Sequence, residues 1–312
     1  MPEEQSVAQP LENRPMSVFG GPKYCSIIIV TYRSIACIGE CLDRLIAMSN
    51  VEIIIVDNDS KDGTSALIEQ GFPSIKVIAL NENLGFGRAC NIGVAASSSS
   101  FFVFLNPDAV ASPDALKTLV TFLEDHPQAG IVGARLIDPL GQPLQSMGDS
   151  PSLLGLVLDK PIAWVAQRVG PRGLLRMFIG RISAKFRLPS KPESVPWVSG
   201  AALCCRRSTW EDLSGFDEKF FLYFEDVDLC LRSTQAGWEV WHVPEAVVSH
   251  QSGASFAGNQ DFQKGVYFSN QQYFFQKHCG RLSAFCLSLL QGVYSRLKLY
   301  RQFANDRIGP SV

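Results

Sequence analysis

From residue 24 onward, short continuous apolar runs alternate with stretches of helical spacing. That alternation narrows the possible folds more than any other feature of the chain. "YCSIIIVTY", "VEIIIVD", "IKVIAL" and "FFVFL" read as strands apolar on both faces. Between them, "SIACIGECLDRLIAMS", "KDGTSALIEQG" and "GFGRACNIGVAAS" read as helices, with Gly71 placed for a C-cap. After the fourth strand, "SPDALKTLVTFLED" offers Ser112 as N-cap and Pro113 as first helical residue, and "GIVGARLID" fits a fifth strand. Strands with no polar face need cover on both sides. The predicted class is therefore α/β, a mostly parallel sheet flanked by helices.

Such sheets bind ligands at the carboxyl ends of their strands. Thr31 and Tyr32, then Asp57 and Asp59, and then Asp108 in "FFVFLNPDAV" all fall at strand ends. Arg88 and Asn91 sit in a glycine-rich turn. Farther along come Glu225, Asp226 and Asp228 in "FEDVDLC", and a lone His250 after another apolar run. Each has an ordinary reading as a turn former, helix cap, solvated helix start or satisfied core histidine. Their ordered occurrence, each at an element end, favours a shared site. Carboxylates on a sheet rim beside a glycine-rich turn suit a nucleoside diphosphate with a divalent cation, and a second carboxylate can take a proton from an incoming hydroxyl.

Other classes fit poorly. A net charge of −2 over 312 residues gives no pull toward nucleic acid. The nine cysteines are scattered with no CxxC pair, which reads as reduced thiols of a cytoplasmic protein. Residues 1–22 are polar and proline-rich, a flexible tail rather than a signal peptide, and no run reaches the ~18–20 apolar residues that cross a bilayer. "NLGFGRACNIG" contains G-x-G, but Cys90 stands where a dinucleotide fold needs its third glycine, and the turn follows the third strand rather than the first.

"SIIIVTYRS", "EIIIVDNDSKDGT", "NENLGFGRACNIG", "FLNPDAV", "WVSGAALCCRR" and "GFDEKFFLYFEDVDLCLRSTQAGW" together resemble the family-2 inverting glycosyltransferases of the GT-A fold, most of all the bacterial rhamnosyltransferases of polysaccharide and cell-wall assembly. The resemblance spans about residues 24–255. It implies that Thr31 and Tyr32 line the base pocket and that Asp57 bonds the uracil or thymine and ribose region. It makes Asp108 the metal ligand, at the place of the family's D-x-D, and places His250 on the same Mg²⁺ or Mn²⁺. Asp226 matches the catalytic base, with Glu225 orienting it or the acceptor. Arg33, Asn58, Asn83, Arg88, Asn91, Asn106, Trp197 and Gly200, within or beside these motifs, complete the candidate substrate-binding set. Two departures stand out: Arg33 replaces the usual Asn of T-Y-N, and the neutral Asn106 replaces the first carboxylate of the metal motif. Asp226 has to be ionised to act, which predicts a normal or lowered pKa.

The implied activity is inverting transfer of a sugar, L-rhamnose from dTDP-rhamnose first among the donors, to a hydroxyl of a glycan or a polyprenyl-diphosphate-linked saccharide. Galactose or GlcNAc on UDP or dTDP are the alternatives within the fold. The rival from another class is a catalytically silent sugar-nucleotide binder, which retention of Asp108 and Asp226 disfavours. A nucleotidyltransferase needs a glycine-rich, basic loop after its first strand, and "TYRSIACIG" is not one. The sequence divides into a tail (1–22), a catalytic domain (23–255) with a basic insert about 151–192, and a helical extension (256–312). Residues 160–192 hold eight Lys and Arg and no acid; Arg168, Arg172 and Arg176 fall at helical spacing. That stretch and 281–303 fit either peripheral contact with an anionic inner membrane face or packing against the core.

Overall fold

A computed structural model describes residues 25–156, 189–251 and 260–292. The polar N-terminal stretch, most of the basic insert, including Arg168, Arg172 and Arg176, and the end of the chain lie outside the described residues.

The chain order is β1 (Cys25–Thr31), α1 (Ile38–Leu45), β2 (Val51–Asp57), α2 (Thr64–Gly71), β3 (Lys76–Ala79), α3 (Phe86–Ala95), β4 (Phe101–Leu105), β5 (Ala109–Ala111), α4 (Pro113–Asp125) and β6 (Ala129–Ile137). There follow β7 (Met147–Gly148), β8 (Glu193–Ser194), β9 (Trp197–Val198), β10 (Ala202–Arg206), α5 (Arg207–Leu213), α6 (Glu225–Gln235), β11 (Glu239–His250) and α7 (Gln260–His278). Residues 280–292 are helical as well.

Nine strands form one sheet in the order β3-β2-β1-β4-β10-β6-β11-β5, with β8 also on β11. β3, β2, β1, β4, β6 and β11 run the same way, and β10, β5 and β8 are reversed. The sheet is mostly parallel, as its two-faced apolar strands require. Ile27 and Ile29 enter one buried cluster and Ile28 and Val30 the other, so β1 alone supplies both faces. Phe104 stacks on Trp210 at 5.0 Å and meets Phe216 edge-on at 5.3 Å. Each such side chain contributes ~1.5–3 kcal/mol on burial.

Local signals behave unevenly. Ser112 accepts the Ala115 N–H at 3.1 Å ahead of Pro113, the expected cap. Gly71 is not a C-cap: α2 runs through it and Phe72 caps at φ −135°, outside the left-handed region. The reason is that Ile68 O takes the Phe72 N–H, so no left-handed residue is needed. α1 begins at Ile38, later than its helical pattern, because Ser34 turns back to bond Thr64 and leaves 34–37 in a turn.

A third buried cluster joins the C-terminal helices to the sheet domain. It contains Phe220, Phe224 and Val227 with Phe274, Phe275, Ala284 and Leu287. Among the described residues no helix is long and apolar enough to cross a membrane.

Candidate active site

The carboxyl ends of β1 and β2 come together first. In-register parallel pairing sets Thr31 beside Asp57, and its hydroxyl donates to Asp57 Oδ1 at 2.8 Å. Ser65 Oγ and the Ser60 N–H bond the other carboxylate oxygen at 2.5 and 3.3 Å. Asn58 reaches across to the turn before α3. Its amide donates to Asn83 Oδ1 at 2.8 Å and to Gly85 O at 3.1 Å, and accepts the Leu84 N–H at 2.8 Å. Tyr32 and Arg33 follow on the same rim, with the Arg33 guanidinium 5.3 Å over the Tyr32 ring and Arg33 exposed.

Two of the expected binding residues are engaged by the protein itself. Asn91 is spent on the backbone of Phe216, accepting its N–H at 2.9 Å and donating to its O at 3.0 Å. Arg88 pairs with Glu218 at 3.3 Å in solvent. Both brace the 216–218 loop.

The second grouping surrounds a cavity of about 770 Å³. Antiparallel pairing of β5 with β11 sets His250 opposite Ala109, beside Asp108. His250 Nε2 stands 3.1 Å from Asp108 Oδ1 and 3.2 Å from Asn106 Nδ2. Asn106 and His250 line the cavity, and so do Glu225 and Asp226. Gly200 and Trp197 line it too. Trp197 lies flat on Gly148, where an added Cβ would come within 2.5 Å of the ring, and its Nε1–H donates to Asp149 O at 2.9 Å. Asp108, nearly buried, joins the group through His250. Asp228 does not: it turns away from the cavity to bond Arg232, Lys277 and His278.

Asp226 receives two backbone donors, Gly200 N–H to Oδ2 and Val227 N–H to Oδ1, both at 2.8 Å. Burial pushes its carboxyl above the usual range, and these two donors restrain the rise. The expectation of a normal or lowered pKa is thereby corrected: the cavity wall removes more water than two N–H groups replace. Glu225 is pushed farther, well above the carboxylate range, by burial first and then by the Asp226 charge. Its Oε2 is buried with no hydrogen-bond partner among the described residues. Of the two carboxyls Glu225 is thus the more strongly biased toward its neutral form, and Asp226, with two N–H donors, is the readier to ionise.

The turn that delivers this pair is strained. Tyr223 and Phe224 are both left-handed, at φ 71° and 72°, and α6 starts at Glu225 with no side-chain cap. Non-glycine residues in this region cost ~1–3 kcal/mol each. Phe221 O accepts the Phe86 N–H at 2.8 Å, which ties the turn to the Asn58–Asn83 lattice.

Residues 26–163 match the model of "Glycosyl transferase family 2", and residues 183–278 that of "Glycosyl transferase family group 2". The chain is 30% identical over 251 residues to the N-acetylglucosaminyl-diphospho-decaprenol L-rhamnosyltransferase of Mycobacterium tuberculosis, covering 73% of this chain and 76% of that one. This chain belongs to glycosyltransferase family 2. The family-2 chain is also 28% identical over 235 residues to rhamnosyltransferase WbbL of Escherichia coli K12, covering 70% and 80% of the two chains. Among solved structures it resembles the mannosyltransferase PcManGT of Pyrobaculum calidifontis in complex with GDP-Man and Mn²⁺. There the TM-score is 0.52 and the identity 17%, over 91% of this chain and 68% of that one. TarS of S. aureus gives a TM-score of 0.51 at 18% identity, over 81% and 39%. The fold is thus of the GT-A type, and the glycosyltransferase reading of the motifs holds.

Sequence reasoning missed the C-terminal contribution. Tyr267 and Gln271 of α7 line the cavity. With Asn270, Phe274, Lys277 and His278 they repeat at three and four residues, one helical face, and that spacing was the available signal.

Proposed function

We propose that this glycosyltransferase moves L-rhamnose from dTDP-L-rhamnose to a hydroxyl of a lipid-linked saccharide, inverting the anomeric centre. The observation that carries the reading is one cavity lined by Asp226, Asn106 and His250 together. The choice of rhamnose is supported by the activities named for the M. tuberculosis and E. coli relatives, and that of a polyprenyl-diphosphate-linked acceptor by the name of the M. tuberculosis relative.

In this reading the nucleotide lies over the ends of β1 and β2, with Thr31, Tyr32, Asp57 and Asn58 around its base and ribose. Asn83 sets the side chain of Asn58. The acceptor enters the cavity against Trp197, Tyr267 and Gln271. Asp226 takes the proton from the acceptor hydroxyl, whose oxygen bonds to the anomeric carbon. The bond from that carbon to the diphosphate breaks on the opposite face, and no sugar–enzyme bond forms. Glu225, neutral, donates a hydrogen bond within the cavity. Asp226 next to the helix start gains from its positive end while ionised.

Asp108 and His250, 3.1 Å apart, would hold a divalent cation through a carboxylate and an imidazole nitrogen, a mixed set that suits Mn²⁺ better than Mg²⁺; among the described residues no group of three such donors is gathered, so these two alone would not saturate it. When bound, the cation neutralises the departing diphosphate.

We further infer a peripheral seat on the inner face of the cell membrane. Leu282, Phe285 and Leu289 are exposed on the 280–292 helix, and residues 281–303 carry Arg281, Arg296, Lys298 and Arg301 with no acid. Co-sedimentation with vesicles containing anionic lipid tests it; no difference from neutral vesicles removes the inference. The activity itself is tested by nucleotide diphosphate release from a panel of sugar donors with Mn²⁺ or Mg²⁺. Release from UDP-galactose or UDP-GlcNAc in preference to dTDP-L-rhamnose overturns the sugar assignment.

A further inference from the structure

The helix that carries the base begins at a place where a chain would not choose to begin one. Tyr223 and Phe224 are consecutive left-handed residues without a glycine, and Phe224 caps α6 with no side-chain bond. Something has to over-determine that turn for Asp226 to keep one direction. The answer lies about fifty residues on, along one face of α7.

Asn270 is buried, and its Nδ2 donates to Leu222 O at 2.7 Å and to Tyr223 O at 3.4 Å. Those are the carbonyls whose orientation the left-handed pair sets. One turn to either side, Tyr267 lies 5.2 Å from the Phe224 ring and 5.8 Å from Tyr223, and Phe274 lies 5.5 Å from Phe224. Farther along the same face, Lys277 Nζ and His278 Nε2 reach Asp228 Oδ1 at 2.6 and 2.7 Å. Asp228 is fully buried in the first turn of α6, two residues beyond Asp226. The helix therefore grips the segment on both sides of the base, at the carbonyls before it and the carboxylate after it. None of Asn270, Lys277 and His278 lines the cavity.

We propose that Asn270 is a positioning residue: from the C-terminal helix it locks the left-handed Tyr223–Phe224 turn and so aims Asp226 into the cavity. The proposal rests on the assignment of Asp226 as base. A hydrogen-bond donor is essential to the role, because both partners are carbonyls. Asn270→Asp keeps the volume and loses the donor. Glycine, at home at positive φ, relieves the strain that the clamp opposes, so Tyr223→Gly compensates for a missing clamp.

The full-length chain is assayed with dTDP-L-rhamnose, Mn²⁺ and a GlcNAc-diphospho-lipid acceptor, or with whichever donor the panel selects. Asn270→Ala and Asn270→Asp are each expected to lower kcat about 30-fold with donor KM within about two-fold, the scale of a misaimed catalytic group. Tyr223 itself lines the cavity, so Tyr223→Gly alone is the reference: Asn270→Ala is expected to cost about three-fold in that background against about 30-fold in the parent. The parent kcat in Asn270→Asp, or an undiminished cost of Asn270→Ala in the Tyr223→Gly background, overturns the clamp. If Asn270→Ala does not fold, Asn270→Asp with and without Tyr223→Gly decides by the same two criteria. Asp226→Asn, run alongside, separates the two claims: transfer at the parent rate there defeats the base assignment, whereas its loss with normal Asn270 variants defeats only the clamp.

Discussion

The backbone N–H of Gly200 donates to Oδ2 of Asp226 across 2.8 Å. Gly200 stands between β9 and β10, and Asp226 is in the first turn of α6, so the proposed base is held between two separate pieces of the fold. An amide in place of the carboxylate keeps one oxygen, enough for one of its two backbone donors, Gly200 N–H or Val227 N–H, and cannot take a proton. Asp226→Asn is therefore expected to remain folded, to bind nucleotide sugar as the parent does, and to lose ~10²–10⁴-fold in turnover. Calorimetric binding set beside diphosphate release checks both halves. Turnover near the parent rate rejects the role of Asp226.

Glu225 gives the opposite expectation. A buried carboxyl held well above its usual range prefers to be protonated in the folded state. Folding then takes up a proton, and stability falls as pH rises from the ordinary carboxylate range toward the raised value. Glu225→Gln removes that dependence. It is expected to melt higher than the parent at pH 7–8, with the gap closing toward pH 4, near the ordinary glutamic acid value. Because Gln also donates a hydrogen bond, transfer should stay within about three-fold, while Glu225→Ala loses more than ten-fold. Melting curves across pH, paired with rates, decide; an inactive Glu225→Gln shows that the ionised form is needed.

If Asp226 is the base, as proposed, it is expected to set the acid limb of the pH–rate profile. Its carboxyl, raised by burial, has to be ionised to accept a proton, so the rate falls as pH drops through that raised value. The limb should therefore lie above the range of a free aspartate, roughly pH 4. Glu225 is already neutral there, and Glu225→Gln should leave the limb in place. A profile of kcat/KM for parent and variant measures this. A limb that moves with Glu225→Gln assigns it to the wrong carboxylate.

The proposed cation ligands can be tested apart from the proposed base. His250 lines the cavity with Nε2 3.1 Å from Asp108. His250→Ala removes one of two protein donors and leaves the nucleotide region untouched. The Mn²⁺ concentration giving half-maximal rate is expected to rise about 10–100-fold, with the rate at saturation less affected. Asp108→Asn should raise it further. A Mn²⁺ titration of diphosphate release reads both, and an unchanged midpoint in His250→Ala takes the histidine off the metal.

The sheet was legible because physics leaves little choice. "FFVFL" is buried residue for residue, and Ser112-Pro113 caps as its chemistry dictates. The places of Asp57 at the end of β2, and of Asn106 and Asp108 just past β4, could also be read, since the carboxyl end of a parallel strand has only one rim to offer; Asp226 reaches the cavity that Asn106 lines from the start of a helix. Asn91 could not be separated by type from a ligand-binding amide: its use on Phe216 depends on a loop 125 residues away. The pKa of Asp226 was misjudged because burial is a property of the walls, including Trp197 and the C-terminal helix, and not of the motif. The left-handed Tyr223–Phe224 turn carries no glycine to announce it, and its partner Asn270 is an unremarkable polar residue until α7 is docked.

Gly85 tests the tie between the two halves of the site. It sits at φ +85°, and a Cβ there would come within 2.3 Å of the Phe221 carbonyl oxygen. That same carbonyl accepts the Phe86 N–H, and Gly85 O accepts from Asn58. Gly85→Ala meets both a backbone conformation that L residues avoid and backbone atoms that cannot swing aside. It is expected to cost ~1–3 kcal/mol in denaturant unfolding and to impair turnover along with donor binding, since the displaced Phe221 leads directly into the Asp226 turn. Gly39→Ala is the control: nothing lies within 4 Å of its Cβ position, and it sits inside α1. That change should stabilise by ~0.5–1 kcal/mol and leave transfer alone. If the two alanines behave alike, the close approach of Gly85 to Phe221 does not govern the site.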